Sequence, residues 1–282
     1  MKSKTKRWII SGVAVTAIFS SLSIPQVQAG ASHFLSLFRV NQIEMVKLTQ
    51  SDIQEIENWL HENKEGSLDL KGVGKLNMSG ITDGPTYFET SESAKEAGYH
   101  VPTLEEYEAE GVNVIPASTI TFTLHVEKAN QLLTQLGSKH QFEASLNEKP
   151  FSVTTYDTIK TDFVKEGNYL SYMQTKSPEI NVPNGVSVAE LKATLLSLPF
   201  LPENVKTQFA GIDHIENTLP IPVVETEGTK IREIRLGKAQ GIVVEREQES
   251  SIVWQENGNF HVLVSHGKMT ADELIQLSLQ MK

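Results

Sequence analysis

Apolar and polar positions alternate most regularly in the last third of the chain. The segments "IREIRL" (231–236), "AQGIVVER" (239–246), "SSIVWQE" (250–256) and "FHVLVS" (260–265) are short, rich in strand-forming residues and separated by turn signals. They predict four strands. Asn257-Gly258 joins the last two, and both residue types accept the positive φ of a two-residue hairpin turn. Thr270-Ala271-Asp272-Glu273 has the spacing of a capping box, so a helix begins there and carries Leu274, Ile275, Leu277 and Leu279. The helix is expected to cover one face of the four-stranded sheet, with Leu274 and Leu277 inward.

The pattern upstream is mixed. Ile43, Met45 and their neighbours in "NQIEMVKL" alternate as a strand. Ser51–Gln54 reads as a capping box opening a helix over about 51–63, with Ile53, Ile56, Trp59 and Leu60 on one face. "LDLKGVGKL" (68–76) predicts a strand, Ser91–Ala97 a short helix, and Tyr99–Glu110 a surface loop with a helical turn near 103–109. "TITFTLHV" (119–126) predicts a strand and 129–136 a helix stopped by Gly137. Residues 151–175 predict two strands, "FSVTTY" and "YLSYMQT", with Gly167-Asn168 as the turn. Pro178, Pro183 and Asn184-Gly185 read as a loop. Ser187–Glu190 then opens a helix striped by Val188, Leu191, Leu195 and Leu198, and a short helix follows at 203–210. Strands joined by short turns, with separate helices, predict an α+β fold: curved antiparallel sheet or sheets with packed helices.

The N-terminus changes the picture. Lys2, Lys4, Lys6 and Arg7 precede the uncharged run Trp8–Ile24, which Pro25 ends, and Val27-Gln28-Ala29 offers a cleavage site. A basic start, an apolar stretch and small residues make an export signal, and the same features suit one membrane helix with its basic end inside. Both readings place the body outside the cytoplasm, either on a single-pass anchor or secreted after cleavage following Ala29. The expected organisation is a signal or anchor helix over 1–29 and one body over 30–282, with a sheet-plus-helix unit over about 231–282.

Length and charge add limits. The chain has 282 residues, enough to bury a real core, and a formal net charge of −10. So acidic a body repels DNA, RNA and anionic lipid surfaces. Cysteine is absent, which excludes disulfides, thiol nucleophiles and thiolate metal sites.

Candidate chemistry is sparse. The histidines are His33, His61, His100, His125, His140, His214, His261 and His266, and none forms an H-x-x-x-H pair. His125 and His261 fall in predicted strands, where a hydrogen-bonded sheet histidine is the default. Asp213-His214 supplies two members of a hydrolase triad, but no G-x-S-x-G turn accompanies them. Glu105, Glu106, Glu108 and Glu110 form an acidic segment without the ligand spacing of a calcium loop. Gly72 and Gly74 fit neither the phosphate-loop nor the dinucleotide pattern. Trp254 and Phe260 flank the last hairpin and are the candidate contacts for an apolar ligand in a curved sheet; packing beneath the last helix is the competing reading. No catalytic, cofactor-binding or metal-binding residue is assigned.

Three segments together resemble a known family: "ASHFLSLFRVNQIE", "LLSLPFLPENVKTQFAGIDHIENTLPIPV" and "AQGIVVEREQESSIVWQENGNFHVLVSHGKMTADELIQLSL". The chain is similar to uncharacterised membrane-anchored extracytoplasmic proteins of Gram-positive and related bacteria. Its C-terminal part resembles the domain of unknown function found behind the membrane anchor of anti-sigma-factor-like proteins. That domain is loosely similar to the lipoprotein-carrier fold. The resemblance implies a non-enzymatic binding or regulatory module at the cell surface, with a protein partner or an apolar ligand. Carriage of lipid or lipoprotein acyl chains in a half-barrel is the first alternative, and an extracytoplasmic hydrolase using Asp213 and His214 the second. Only seven residues precede the hydrophobic segment, so direct inhibition of a sigma factor by a cytoplasmic Cys/His domain is not expected.

Overall fold

The computed structural model describes residues 35–39, 42–62, 73–80, 84–135, 137–197 and 201–281. Its strands, in chain order, are β1 (Leu35–Arg39), β2 (Gln42–Leu48), β3 (Gly74–Ser79), β4 (Thr86–Phe88), β5 (Glu108–Ile115), β6 (Ser118–Leu124), β7 (Pro150–Thr155) and β8 (Thr158–Lys165). There follow β9 (Asn168–Lys176), β10 (Glu179–Pro183), β11 (Thr218–Val224), β12 (Lys230–Leu236), β13 (Ala239–Arg246), β14 (Glu249–Glu256) and β15 (Asn259–Ser265). The α-helices are α1 (Gln50–Glu62), α2 (Ser91–Glu96), α3 (Val126–Gln135), α4 (Val188–Leu196), α5 (Glu203–Gly211) and α6 (Ala271–Gln280).

Among the described residues the strands form three sheets. The largest has eight strands in the order β12-β13-β14-β15-β9-β8-β5-β4, all antiparallel. A second has five, β1-β10-β7-β6-β3, also antiparallel. The third is a parallel pair, β11-β2. The fold is therefore α+β with mostly antiparallel sheet. Three long strands run through both large sheets: β5 continues into β6, β7 into β8 and β9 into β10. Each is interrupted by two residues at the same level, Pro116-Ala117, Tyr156-Asp157 and Ser177-Pro178. The Ala117 N–H donates to Asp157 Oδ1 at 2.8 Å across that line.

The C-terminal meander follows from its sequence. Successive strands are joined by two-residue turns, and Asn257 and Gly258 have φ of 51° and 78°. These fit a hairpin that matches the twist of its strands. The Thr270 side chain accepts from the Glu273 N–H, and the Glu273 carboxylate accepts from the Thr270 N–H at 2.8 Å. Leu274, 0% exposed, then seals the face of Ile252, Leu263, Val243 and Trp254, with Leu277 beside it. The opposite face holds Ile242, Val244, Val253, Phe260 and Val262, covered by Ile43, Ile221 and Val223 of the β2–β11 pair. Both faces of this end of the sheet are thus filled.

Several expectations need correction. The first helix is capped by Thr49, not Ser51: Thr49 Oγ1 accepts from the Asp52 N–H at 3.1 Å and Asp52 Oδ2 accepts from the Thr49 N–H at 2.7 Å. The same reciprocal logic operates two residues earlier. At the second box Ser187 Oγ accepts from the Glu190 N–H at 3.2 Å, while the Glu190 carboxyl bonds Glu143, which raises its pKa. Residues 99–110 are not a surface loop throughout, since Val101 and Leu104 are buried and β5 begins at Glu108. Strand β6 stops at Leu124, and helix α3 starts at Val126. Residues 151–175 belong to three strands, not two, and the turn is Glu166-Gly167, both at positive φ. Residues 179–183, read as loop, are β10. One pairing is parallel where only antiparallel sheet was expected.

Among the described residues no helix is long and apolar enough to cross a membrane. The hydrophobic run Trp8–Ile24, the helix expected there and the site after Ala29 lie outside the described residues, as do His33 and residues 68–72.

Candidate functional site

The β2–β11 pair is a two-stranded sheet laid on the larger one, so it has two outer edges. Hydrogen-bond direction alternates along a strand. The Leu48 carbonyl accepts from the Glu225 N–H at 2.8 Å, so Leu48, Val46 and Glu44 turn their backbone toward β11. Ile43, Met45 and Lys47 then turn theirs to the outer edge of β2. By the same register Leu219, Ile221 and Val223 face β2, while Pro220 and Pro222 fall on the outer edge of β11. Proline has no N–H, so it is tolerated there and cannot donate to a further strand.

Among the described residues, the outer edge of β2 is closed at one end only. Gln208 of α5 sets its side-chain amide against Lys47. Its Oε1 accepts from the Lys47 N–H at 2.8 Å, and its Nε2 donates to the Lys47 carbonyl at 2.9 Å. Asn204, one turn earlier, donates to the same carbonyl at 3.1 Å and to Asp52 Oδ2 at 2.7 Å. Burial pushes the Asp52 pKa up, but the bonds from Thr49 and Asn204 outweigh it and hold the carboxyl below its ordinary value.

Beyond Lys47 the edge opens into a groove of about 250 Å³. One wall is Ile43, Glu44 and Met45 of β2. The other is Glu233 and Arg235 of β12 with Gln240 and Ile242 of β13. Glu44, Glu233, Arg235 and Gln240 are exposed, whereas Ile43 and Ile242 belong to the core beneath. No strand among the described residues pairs with this edge.

Trp254 and Phe260, the residues expected to contact an apolar ligand, do not share a face. Phe260 pairs with Gln255 across the hairpin, so it points away from Trp254. Each is 4% exposed: Trp254 under α6, Phe260 under β2–β11. Trp254 does stack on His261, with ring centroids 4.9 Å apart. His261 Nδ1 lies 2.6 Å from the Tyr172 hydroxyl, which donates to Gln174 Oε1 at 3.1 Å. Burial lowers the His261 pKa to about 4, so the ring is neutral at ordinary pH, and burial raises that of Tyr172. His261 is thus a hydrogen-bonded strand histidine. His125 lies outside any strand, between β6 and α3, and its Nδ1 is buried without a partner.

Asp213 and His214 are exposed in the turn after α5. A different trio comes together on the large sheet, which adjacency in sequence could not show. Ser171 Oγ lies 3.3 Å from His266 Nε2, and His266 Nδ1 lies 4.0 Å from Glu249. Its geometry is not that of an activated serine. Ser171 Oγ donates to Asp162 Oδ1 at 2.5 Å, so its proton is not held by the imidazole. The contact between His266 and Glu249 is also too long for a hydrogen bond. The acidic segment is dispersed: Glu106 pairs with Lys165, and Glu108 and Glu110 lie in β5. Among the described residues no group of His, Asp and Glu is placed to hold a metal ion.

Residues 222–281 match a family model described as a domain of unknown function, DUF4367. The match spans the end of β11, the whole β12–β15 meander and α6, so the β12–β13 wall of the groove lies within it and the β2 wall does not. No curated protein and no solved structure is significantly similar to the chain.

Proposed function

We propose that the chain is a non-enzymatic binding or regulatory module, exported or anchored by its N-terminal segment, whose body engages a protein partner outside the cytoplasm. The observation that carries this reading is the groove between the open edge of β2 and the β12–β13 hairpin. It offers unused backbone groups and exposed charge beside a well-packed core. An acyl-chain carrier needs an unfilled apolar sheet face, and here α6 fills one face of the meander and β2–β11 the other. A hydrolase needs a serine or water activated by a positioned base, and Asp213 and His214 are both exposed.

Site-specific photocrosslinking in the cells that make the protein tests the reading. A benzophenone side chain replacing Gln240, in the groove, should give one discrete adduct with another protein. The same group at Lys128, on exposed α3, serves as control. Equal crosslinking at both positions, or adducts with lipid alone, would contradict a protein-binding role for the groove.

A further inference from the structure

We infer that the groove takes its partner by strand addition: an extended, basic segment of a protein pairs with the outer edge of β2 at Ile43 and Met45. This rests on the binding-module reading above and specifies how that site works.

An open strand edge is a row of donors and acceptors, and folded proteins usually block it. Among the described residues, all but one stretch of edge on the β2–β11 pair is accounted for. Each strand uses its inner edge on the other. Pro220 and Pro222 occupy the outer edge of β11. The Gln208 amide occupies the outer edge of β2 at Lys47, with the N–H acceptor and carbonyl donor of a neighbouring peptide group. The N–H and C=O of Ile43 and of Met45 have no partner among the described residues, and this stretch borders the groove. A side-chain amide already seated on the next position shows which chemistry the edge accepts. Backbone pairing of this kind supplies affinity, and pockets for alternate side chains supply selectivity. Ile43 to Met45 spans about 7 Å, so the added segment pairs over about three residues.

Charge selects the occupant. Glu44 and Glu233 outnumber Arg235 around the groove, and the whole chain carries −10. A basic segment is complementary to both. A second copy is not: two β2 edges pairing through Ile43 and Met45 would set each Glu44 opposite its own counterpart, and like charges directly opposite are destabilising.

The test titrates the purified full-length chain, at physiological ionic strength, with a fluorescein-labelled Lys-Val-Lys-Val-Lys amide, read by anisotropy. A second probe has the same side chains with every backbone nitrogen methylated. Strand addition predicts saturable binding of the first probe and at least tenfold weaker binding of the second. Met45→Pro removes an N–H that faces only the groove and should weaken the first probe tenfold or more. E233K should weaken it too, and Lys128→Glu should not. Equal binding of the two probes, with loss on E233K, would overturn strand addition and leave a groove that binds proteins by side chains alone. No binding of either probe would overturn strand addition, and crosslinking from Gln240 would then decide the wider reading by itself.

Discussion

The side chain of Gln208 is joined to the backbone of Lys47 as one strand is joined to the next, by reciprocal bonds of 2.8 and 2.9 Å. The two residues lie 161 positions apart in sequence. Through them α5 both docks on β2 and ends the stretch of edge that is open to a partner.

Gln208→Ala should therefore cost stability. The Lys47 N–H loses its partner and the Lys47 carbonyl keeps only its bond from Asn204, at about 1 kcal/mol for each net hydrogen bond lost. Urea unfolding should show a loss of about 1–2 kcal/mol, while Gln240→Ala, at the exposed groove wall, should change stability by less than about 0.5 kcal/mol. Equal effects would show that the Gln208 amide does not hold the edge.

Two of the three leucines of α6, Leu274 and Leu279, separate core from surface. Leu274 is 0% exposed and Leu279 is 57% exposed. Leu274→Ala should destabilise by about 2–5 kcal/mol, through lost burial and the cavity left behind. Leu279→Ala should stay within about 0.5 kcal/mol. A small effect at Leu274 would make α6 a peripheral tail.

Stability should fall as pH falls between about 6.5 and 4. In that window the unfolded chain binds a proton that folded His261 refuses, because burial holds its pKa near 4. Protonation then favours the unfolded state, and the contribution is fully present only above the unfolded value. It amounts to up to about 3 kcal/mol, at about 1.4 kcal/mol per pKa unit. Denaturation midpoints at pH 7, 6 and 5 should drop more steeply in the parent than in His261→Gln. Parallel slopes would show that the imidazole stays solvated.

Ser171 should be inert. Its hydroxyl is committed to Asp162, so a fluorophosphonate probe should not label the folded protein. Stoichiometric labelling lost in Ser171→Ala would revive a hydrolytic reading, now centred on Ser171 and His266 instead of Asp213 and His214.

The meander and its helix were legible in the sequence because every local signal agreed: alternation, an Asn-Gly turn and a capping box. The groove was not. One of its walls is supported by β11, "TLPIPVV", whose two prolines mask any strand signal. They are compatible with a strand only because the parallel register turns both to the outer edge, which depends on a partner strand more than 170 residues away. Strand β5 was hidden by the acids Glu108 and Glu110 and by a bulge between Ala109 and Gly111. Phe260 and Trp254 were correctly placed beside the hairpin, but the alternation that made them strand residues also puts them on opposite faces. Ile43 and Met45 were read as strand residues from their alternation. That their backbone is left open follows only from the position of Gln208.

Residue-resolved hydrogen exchange on the full-length chain tests the open edge most directly. The amides of Glu44, Val46 and Leu48 should be protected by β11, and that of Lys47 by Gln208. The amides of Ile43 and Met45 should exchange fast, and addition of the Lys-Val-Lys-Val-Lys probe should slow those two specifically. Uniform protection from Ile43 to Leu48 in the free protein would mean that the edge is already occupied, and would contradict the account.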